Sequence, residues 1–317
     1  MTMKAPIRQR RLLIATLLAA PAAAALAQGA DAQSLAVVYP DIGEPYRSVF
    51  TKILEGIEQQ ARGRVASFAV GPAGLPADAQ SELRKREVRA VIALGRNGLK
   101  AVGALDRSVS VIAGGVLAVP ESEARDFAVH SLTPDPSLLF ARLRSLVPSA
   151  RRVAVVYDPR QNAWLIRMAR DAAKAHGLEL MAHEADDLKA ALRIYQTLVA
   201  SFDAKRDVLW LPHDSATVDD AAVLPLVLQE AWDRNFAVLS SSVAHVRRGA
   251  LFSLYPDNLA LGRRLGGAAM AAAGGHRSPG VLPLKDVRIA VNVRAASHLG
   301  LNLSNAQQAF DMVFPEQ

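Results

Sequence analysis

Two segments of this chain are near copies of each other. Residues 36–40 read Ala-Val-Val-Tyr-Pro, and residues 154–159, about 118 positions later, read Ala-Val-Val-Tyr-Asp-Pro. Two further apolar segments with their loops recur in the same order at a nearly constant offset: residues 91–97 match 208–214, and residues 110–115 match 237–242. This ordered recurrence predicts an internal duplication, and therefore two similar halves.

Each half has the pattern of an α/β fold. Short runs rich in Val, Ile and Leu alternate with longer segments of helical period, which is typical of parallel strands covered by helices. We therefore predict two similar Rossmann-like lobes with parallel sheets. The first lobe is expected over residues 33–131 and the second over residues 132–284.

The last part of the chain follows a less simple order. A helix of small residues is expected over 257–273, followed by Gly274-Gly275, a proline-rich connection and a strand over 287–291. We predict that residues from about 285 to 317 return to the first lobe. No Gly/Ser-rich linker is visible, so two or three crossings of the chain would form a multi-segment hinge between the lobes.

Residues 1–32 have the features of an export signal. They begin with four basic residues: Lys4, Arg8, Arg10 and Arg11. An uncharged apolar run of about 15 residues follows, whereas a membrane-spanning helix needs roughly 20. Small residues then indicate cleavage near Ala27 or Ala32, and we expect a periplasmic protein. The adjacent Arg10 and Arg11 leave both the general and the twin-arginine export routes open.

The composition argues against several classes of function. The chain has no cysteine, so it has no disulfide, catalytic thiol, thiolate metal site or lipid-bearing cysteine. Its formal charge of +7 includes the four basic residues of the signal, and acidic and basic residues are interspersed after it. The excess of positive charge that remains without the signal is too small to predict a nucleic-acid surface.

The familiar motifs of enzymes are also missing. The sequence contains no Gly-x-Ser-x-Gly elbow, no glycine-rich phosphate loop ending in Lys-Ser/Thr and no His-Glu-x-x-His helix. Of the seven histidines, only His213 and His245 lie near the predicted edges of a ligand cleft, and two ligands do not specify a metal site. We therefore predict a protein that is not an enzyme and that holds no cofactor or metal.

Polar residues and glycines cluster where the predicted strands end. Ligands of open parallel sheets bind beyond the carboxyl ends of the strands, so two lobes with facing edges would enclose one small molecule. The candidate ligand-binding residues of the first lobe are Tyr39, Asp41, Tyr46, Gly95, Arg96, Asn97, Gly114 and Gly115. Those of the second lobe are Tyr157, Asn162, His213, Asp214, Ser240 and Ser241.

Each candidate also has a purely structural interpretation. Tyr39 and Tyr157 can simply pack at the end of a sheet, and Gly114-Gly115 can form a tight turn instead of admitting a ligand to the backbone N–H groups. The serines at 240–242 can cap a helix instead of holding a carboxylate at its positive end. Asp214 can cap a helix, and Arg96 can lie on the surface instead of clamping an anion.

Several segments in order resemble ABC-transporter substrate-binding proteins of the type that includes tryptophan- and tyrosine-binding members. The segments are Ser-Leu-Thr-Pro-Asp-Pro at 131–136 leading into 152–159, Pro-His-Asp at 212–214, Gly-Ala-Leu-Phe-Ser at 249–253, Tyr-Pro-Asp at 255–257, Leu-Gly at 261–262, Asn292 and Leu-Gly-Leu at 299–301. The resemblance implies a type I periplasmic-binding fold. One departure is Gly95-Arg96, where family members commonly have Gly-Thr and supply a neutral hydroxyl.

The resemblance implies the periplasmic component of an ABC-type importer, which captures a small polar or amino-acid-like ligand and delivers it to an inner-membrane permease. An alternative is a periplasmic sensing module with the same lobes that reports to a membrane receptor kinase. In either case we expect a monomer with a small-molecule ligand and no nucleic-acid partner.

Overall fold

The computed structural model of the protein describes residues 35–63, 65–103, 105–117, 124–303 and 309–316. The predicted export signal, with its cleavage sites near Ala27 or Ala32, lies outside these residues. Among the helices of the described ranges, none combines the length and apolar character that a membrane crossing requires.

The described strands form two separate sheets. The first sheet has six strands, all parallel, in the order β11 (Gly280–Leu284), β5 (Ala128–Pro134), β4 (Ser110–Val116), β3 (Ala90–Leu94), β1 (Leu35–Pro40) and β2 (Val65–Val70). The second has seven, in the order β13 (Met312–Phe314), β12 (Val287–Asn292), β10 (Phe252–Pro256), β9 (Ala237–Ser240), β8 (Asp207–Leu211), β6 (Arg152–Tyr157) and β7 (Glu179–Glu184). Only β12, and β13 beside it, run against the others.

Helices flank both sheets. The first sheet carries α1 (Tyr46–Ala61), α2 (Ala77–Lys85), α3 (Gly95–Val102) and α9 (Asn258–Ala273), and we call this assembly lobe 1. The second sheet, with its helices, is lobe 2: α4 (Pro136–Leu146), α5 (Pro159–Ala175), α6 (Leu188–Ser201), α7 (Val223–Arg234), α8 (Val243–Arg248) and α10 (Val293–His298). The predicted α/β fold class is confirmed.

The duplication is visible in the order of the strands. Lobe 1 has the run β4-β3-β1-β2, and lobe 2 has the corresponding run β9-β8-β6-β7. The matched sequence segments are therefore β1 and β6, β3 and β8, and β4 and β9. Both lobes place the first strand of the repeat inside the sheet, between the second and third strands.

The apolar strand runs are explained by burial on both faces of the sheets. In β3, Ile92 and Leu94 pack on the face covered by α1 and α9, whereas Val91 and Ala93 pack on the face covered by α2 and α3. All four side chains are fully buried. A strand with helices on both faces has no solvent side, so it reads as a continuous apolar run instead of an alternating one.

The described chain passes between the lobes three times. The crossings are Pro134–Asp135 after β5, Pro256–Asp257 after β10, and residues 284–287 between β11 and β12. They lie side by side: the Asp135 N–H donates to the Leu284 carbonyl at 2.9 Å, and the Asp257 N–H donates to the Asp286 carbonyl at 2.9 Å. The predicted connection of several segments without a Gly/Ser linker is therefore present.

The assignment of the last third of the chain to the lobes is different from the prediction. Residues from about 285 to 317 were expected in lobe 1, but β12 and β13 continue the second sheet beyond β10. Conversely, α9 and β11 were expected in lobe 2 within 132–284, but β11 pairs with β5 and α9 packs against α1. For these described segments the prediction is wrong.

The reason that α9 belongs to lobe 1 is a close approach to α1. A Cβ atom added to Gly56 of α1 would lie 2.1 Å from the Leu259 carbonyl oxygen of α9. A Cβ added to Gly262 of α9 would lie 2.1 Å from the Ile53 carbonyl oxygen. The two backbones therefore touch, and only glycine fits at these two positions.

Candidate functional site

The carboxyl edges of both sheets lie at the three crossings. The chain leaves lobe 1 at the carboxyl ends of β5 and β11, and it leaves lobe 2 at the carboxyl end of β10. The parallel neighbours of these strands end on the same side. The loops in which the sequence placed the candidate residues are therefore on the sides of the lobes that the crossings join, which is where ligands of such sheets bind.

Two of the predicted glycines of lobe 1 meet at one aromatic ring. Gly95 and Gly115 both have φ +67°, in the left-handed region that favours glycine. A Cβ added to either residue would lie 3.2–3.3 Å from the ring of Phe50 in α1. The carboxyl ends of β3 and β4 therefore converge on Phe50, a residue that the sequence analysis did not select.

The other candidates of lobe 1 differ in exposure. Tyr46, at the start of α1, is 64% exposed, and Arg96 and Asn97 are exposed in the first turn of α3. Tyr39 is half-buried at the end of β1, and the exposed Asp41 donates its backbone N–H to the Val70 carbonyl. These five residues lie at the carboxyl edge.

Gly114 has a different environment. It is buried, and a Cβ at this position would lie 2.6 Å from the side chain of Leu265 in α9. The absence of a side chain at Gly114 therefore allows α9 to pack on β4, inside lobe 1.

In lobe 2, three predicted residues come together around one buried carboxylate. Asp214 accepts hydrogen bonds from Asn162 Nδ2 at 2.8 Å and from the backbone N–H of Asp158 at 2.7 Å. Its other oxygen accepts the N–H groups of Ala216 and Thr217. Asn162 also donates to the His213 carbonyl, at 3.1 Å. The acceptor capacity of Asp214 is used within the protein, so this cluster orders the loops instead of presenting a free carboxylate.

Asp158, which the sequence analysis missed, caps α5. Its side chain accepts the Arg160 backbone N–H at 2.9 Å and pairs with the Arg160 guanidinium at 2.9 Å. Burial tends to raise the pKa of Asp158, but the hydrogen bonds from Arg160 and Gln161 outweigh it and hold the pKa below its usual value. The Asp-Pro sequence at the start of a helix is a signal that could have identified this cap.

The hydroxyl groups of the two predicted serines, Ser240 and Ser241, form hydrogen bonds within lobe 2. Ser240 is fully buried, and its Oγ lies 2.8 Å from His245 Nδ1, while His245 Nε2 lies 2.9 Å from Asp220 Oδ1. The Oγ also accepts the Ser242 N–H, at 3.0 Å. The order Ser-His-Asp is that of a hydrolase triad, but a nucleophile must reach its substrate and Ser240 has no exposed surface.

Ser241 and Tyr157 are likewise engaged within lobe 2. Ser241 Oγ accepts the indole N–H of Trp210 at 3.2 Å. The Tyr157 hydroxyl donates to Glu184 Oε1 at 2.8 Å, and burial, with this carboxylate, raises the pKa of Tyr157. Tyr157 thus packs at the end of β6, with its hydroxyl bound to the neighbouring strand β7.

His213 is the partly exposed predicted residue of this edge. Burial, together with the nearby His245, lowers its pKa to about 4, although a hydrogen bond with the Ser241 backbone opposes the shift. His213 is therefore neutral at pH 7, and because one ring nitrogen bonds to the Ser241 backbone, the other is the one it can offer to a ligand. Gln161 and Ser215, joined by a hydrogen bond of 3.2 Å, lie beside it and were not selected from the sequence.

Comparisons with known proteins give a family and a fold. Residues 140–310 match the sequence model of a family described as ABC transporter substrate binding protein. No curated protein matches the chain.

Three solved structures share the fold. The ligand-free, open structure of a substrate-binding protein with adhesive properties from Clostridium difficile has a TM-score of 0.61 at 15% identity, over 90% of this chain and 100% of that one. An ABC domain from Streptococcus pneumoniae in complex with L-Trp has 0.52 at 14%, over 89% and 100%. A conserved domain protein from Vibrio cholerae has 0.52 at 17%, over 89% and 99%.

Proposed function

Because the chain belongs to the family of ABC transporter substrate-binding proteins, we propose that it is the solute-binding component of an importer and captures one small polar or amino-acid-like molecule between lobes 1 and 2. Proteins of this family bind small molecules, work with membrane permeases and are not enzymes. For this chain we propose a monomer in the periplasm, exported by the signal in residues 1–32, that delivers its ligand to an inner-membrane permease.

The observation that carries the proposal is the position of the carboxyl edges at the crossings. Side-by-side crossings at Pro134, Pro256 and Leu284 leave a short connection between two otherwise complete sheets. Small changes of backbone angle in such a connection move one lobe relative to the other as a rigid body. A ligand that contacts both edges would stabilise the closed arrangement by its own binding free energy.

The accessible groups at the two edges support the proposed class of ligand. Lobe 1 offers the Phe50 ring between Gly95 and Gly115, with the exposed cation Arg96 next to Gly95. Lobe 2 offers the neutral imidazole of His213. A cation suits a carboxylate, and an aromatic ring suits an apolar portion, so an amino-acid-like molecule complements this set. The pneumococcal neighbour, a complex with L-Trp, supports the same class.

The proposal is tested by ligand binding combined with small-angle X-ray scattering. We expect one member of a panel of amino acids and small polar solutes to bind in a 1:1 complex by calorimetry, and to decrease the radius of gyration as the lobes close. The ligand should be recovered unchanged. Chemical conversion of the bound molecule, or binding of every panel member without a change in scattering, would contradict the proposal.

A further inference from the structure

Lobe 1 contains a cavity that is remote from its carboxyl edge. The cavity has a volume of about 730 Å³ and reaches the amino ends of β4 and β5. One wall is α9, which contributes Ala268, Ala271 and Ala272, and the facing wall is the sheet. Near the amino ends of the strands α9 carries only these small side chains, so within the described residues the sheet face around Leu282 of β11 stays open, whereas Leu132 and Leu284, nearer the carboxyl edge, pack in the core under α9. Leu282 of β11 lies on this wall and is 39% exposed.

A buried histidine lines the cavity. His130, in the middle of β5, is 7% exposed, and its neighbours in the sheet are Gly114 and Leu282. Among the described residues His130 does not belong to those with a fully buried, unpartnered polar atom, which fits a ring whose polar edge faces the cavity. The imidazole is therefore the polar group that the cavity presents to a bound molecule.

The charge state of His130 narrows the choice of partner. Burial and the nearby Arg264 lower its pKa to about 4, although Asp286 acts in the opposite direction. The imidazole is therefore neutral at pH 7 and can donate one hydrogen bond and accept another. A hydroxyl or carbonyl group satisfies such a ring without bringing a charge into the lobe.

The charged side chains around the cavity balance one another. Arg107 and Arg277 are offset by Asp106 and Asp126, and all four are exposed. Arg277 also donates to the Ser108 carbonyl, at 3.1 Å. This set has no excess of either sign, and it therefore selects for neither an anion nor a cation.

We propose that this cavity is a second ligand site, separate from the gap between the lobes, for a neutral small molecule with an apolar body and one hydroxyl or carbonyl group that bonds to His130. Its volume lies within the range of roughly 300–1,000 Å³ that is usual for small-molecule sites. Ile112, Leu282 and Ala268 supply the apolar contacts, and the imidazole supplies the polar one.

The test uses 2-naphthol as the probe and naphthalene as the matched probe without a hydroxyl. By calorimetry we expect one 2-naphthol per chain, bound about tenfold more tightly than naphthalene, since a hydrogen bond to a buried partner is worth about this much. In 15N NMR spectra of the side chains, 2-naphthol should shift the ring resonances of His130. The shift should saturate together with the calorimetric signal.

Substitutions at two positions of the cavity separate the hydrogen bond to His130 from the volume that a probe needs. His130→Phe preserves an aromatic ring and should remove the preference for 2-naphthol over naphthalene, whereas His130→Gln should retain part of it. Ala268→Leu should weaken both probes about tenfold or more by occupying the cavity. Ala200→Leu makes the same change on the exposed surface of α6 and should bind both probes as the parent does. Melting temperatures of all four variants show whether each is folded.

Three results would overturn this second site. One is the absence of saturable binding of 2-naphthol, and another is an unchanged preference for 2-naphthol in folded His130→Phe. The third is binding that survives in Ala268→Leu but is lost in Arg96→Ala, which would place the probe between the lobes. The capture of a solute between the lobes is not tested by any of these, so the two proposals fail independently.

Discussion

The carboxylate of Asp214 lies 2.7 Å from the backbone nitrogen of Asp158, and this hydrogen bond joins the loop after β8 to the loop after β6. Three further N–H groups donate to the same carboxylate, which is buried. One side chain thus holds together a large part of the carboxyl edge of lobe 2.

We predict that Asp214→Ala lowers the free energy of unfolding by about 3–4 kcal/mol, because it leaves several buried donors without an acceptor. Denaturant titration measures the change. Asp233→Ala, at an exposed position of α7, is the matched control and should change stability by less than about 0.5 kcal/mol. Equal losses in the two variants would show that the Asp214 cluster is not structurally important.

The contact between α1 and α9 should be intolerant of a single methyl group. Gly56→Ala places a Cβ atom 2.1 Å from a backbone oxygen of α9, so we expect a loss of about 2–3 kcal/mol in the free energy of unfolding. Gly267→Ala is the control on α9, because its nearest neighbour would be 3.9 Å away. That variant should gain about 0.5–1 kcal/mol through helix propensity. Thermal and denaturant unfolding that do not distinguish the variants would contradict the close approach.

His213 should make stability depend on pH. Its folded-state pKa of about 4 is below the ordinary value of 6.5, so the unfolded chain binds the proton more readily. The stabilisation is fully present above pH 6.5 and is lost as the pH falls towards 4, by about 3 kcal/mol. We expect His213→Gln to flatten the fall in unfolding free energy between pH 7 and 4.5.

The pH range from 7 to 4.5 lies above the main titration of Asp158 and Asp257, because the pKa values of both carboxyl groups lie below their ordinary value of 3.8. His130, whose folded-state pKa is also about 4, contributes a fall of the same sign, so the slope in His213→Gln should be reduced and not abolished. His276→Gln, in the exposed loop after α9, serves as the control and should retain the parental fall. A parental slope in His213→Gln would disprove the assignment.

Substitution of Arg96 should mainly weaken ligand binding, whereas substitution of Ser241 should mainly lower stability. Arg96→Ala removes an exposed cation at the edge of lobe 1 and should weaken an amino-acid-like ligand by about 1–3 kcal/mol at nearly constant melting temperature. Ser241→Ala removes the acceptor of the Trp210 indole, so it should cost about 1–2 kcal/mol of stability, with a smaller effect on affinity. Calorimetry and unfolding of both variants check this difference. Arg84→Ala, on the exposed surface of α2, is the control for Arg96.

Local sequence patterns predicted the repeated part of the fold well. The apolar runs of β1, β3 and β4 and their copies β6, β8 and β9 are buried on both faces, so their composition alone distinguishes them. The wrong part concerns the lobe assignment of α9, β11, β12 and β13. Pro283 within β11 argues against a strand, and the structure accommodates it because β11 is an edge strand with a shift of register next to this residue.

The partner of α9 could not be read from its own residues. The buried face of α9 consists of Leu261, Leu265 and otherwise glycine and alanine, which is a weak apolar stripe, and its close approach to α1 depends on the complementary Gly56 about 200 residues earlier in the chain. At the candidate site, sequence reasoning placed the selected loops at the carboxyl edges of the sheets, where the structure has them, because strand ends are easy to recognise. It did not distinguish side chains that point outward from those, such as Asp214 and Ser240, whose polar atoms are bound within the loops.

Lobe 1 is completed by α9 and β11, which come late in the chain, and this order has a consequence for biosynthesis. A nascent chain that has emerged only as far as β5 has five strands of lobe 1 and α1, but it lacks α9, the second helix on the face that carries Ile92 and Leu94. That apolar face stays incompletely covered until α9 has been made. Lobe 1 therefore cannot mature first as an N-terminal unit, and a fragment that stops before Asn258 should aggregate instead of folding.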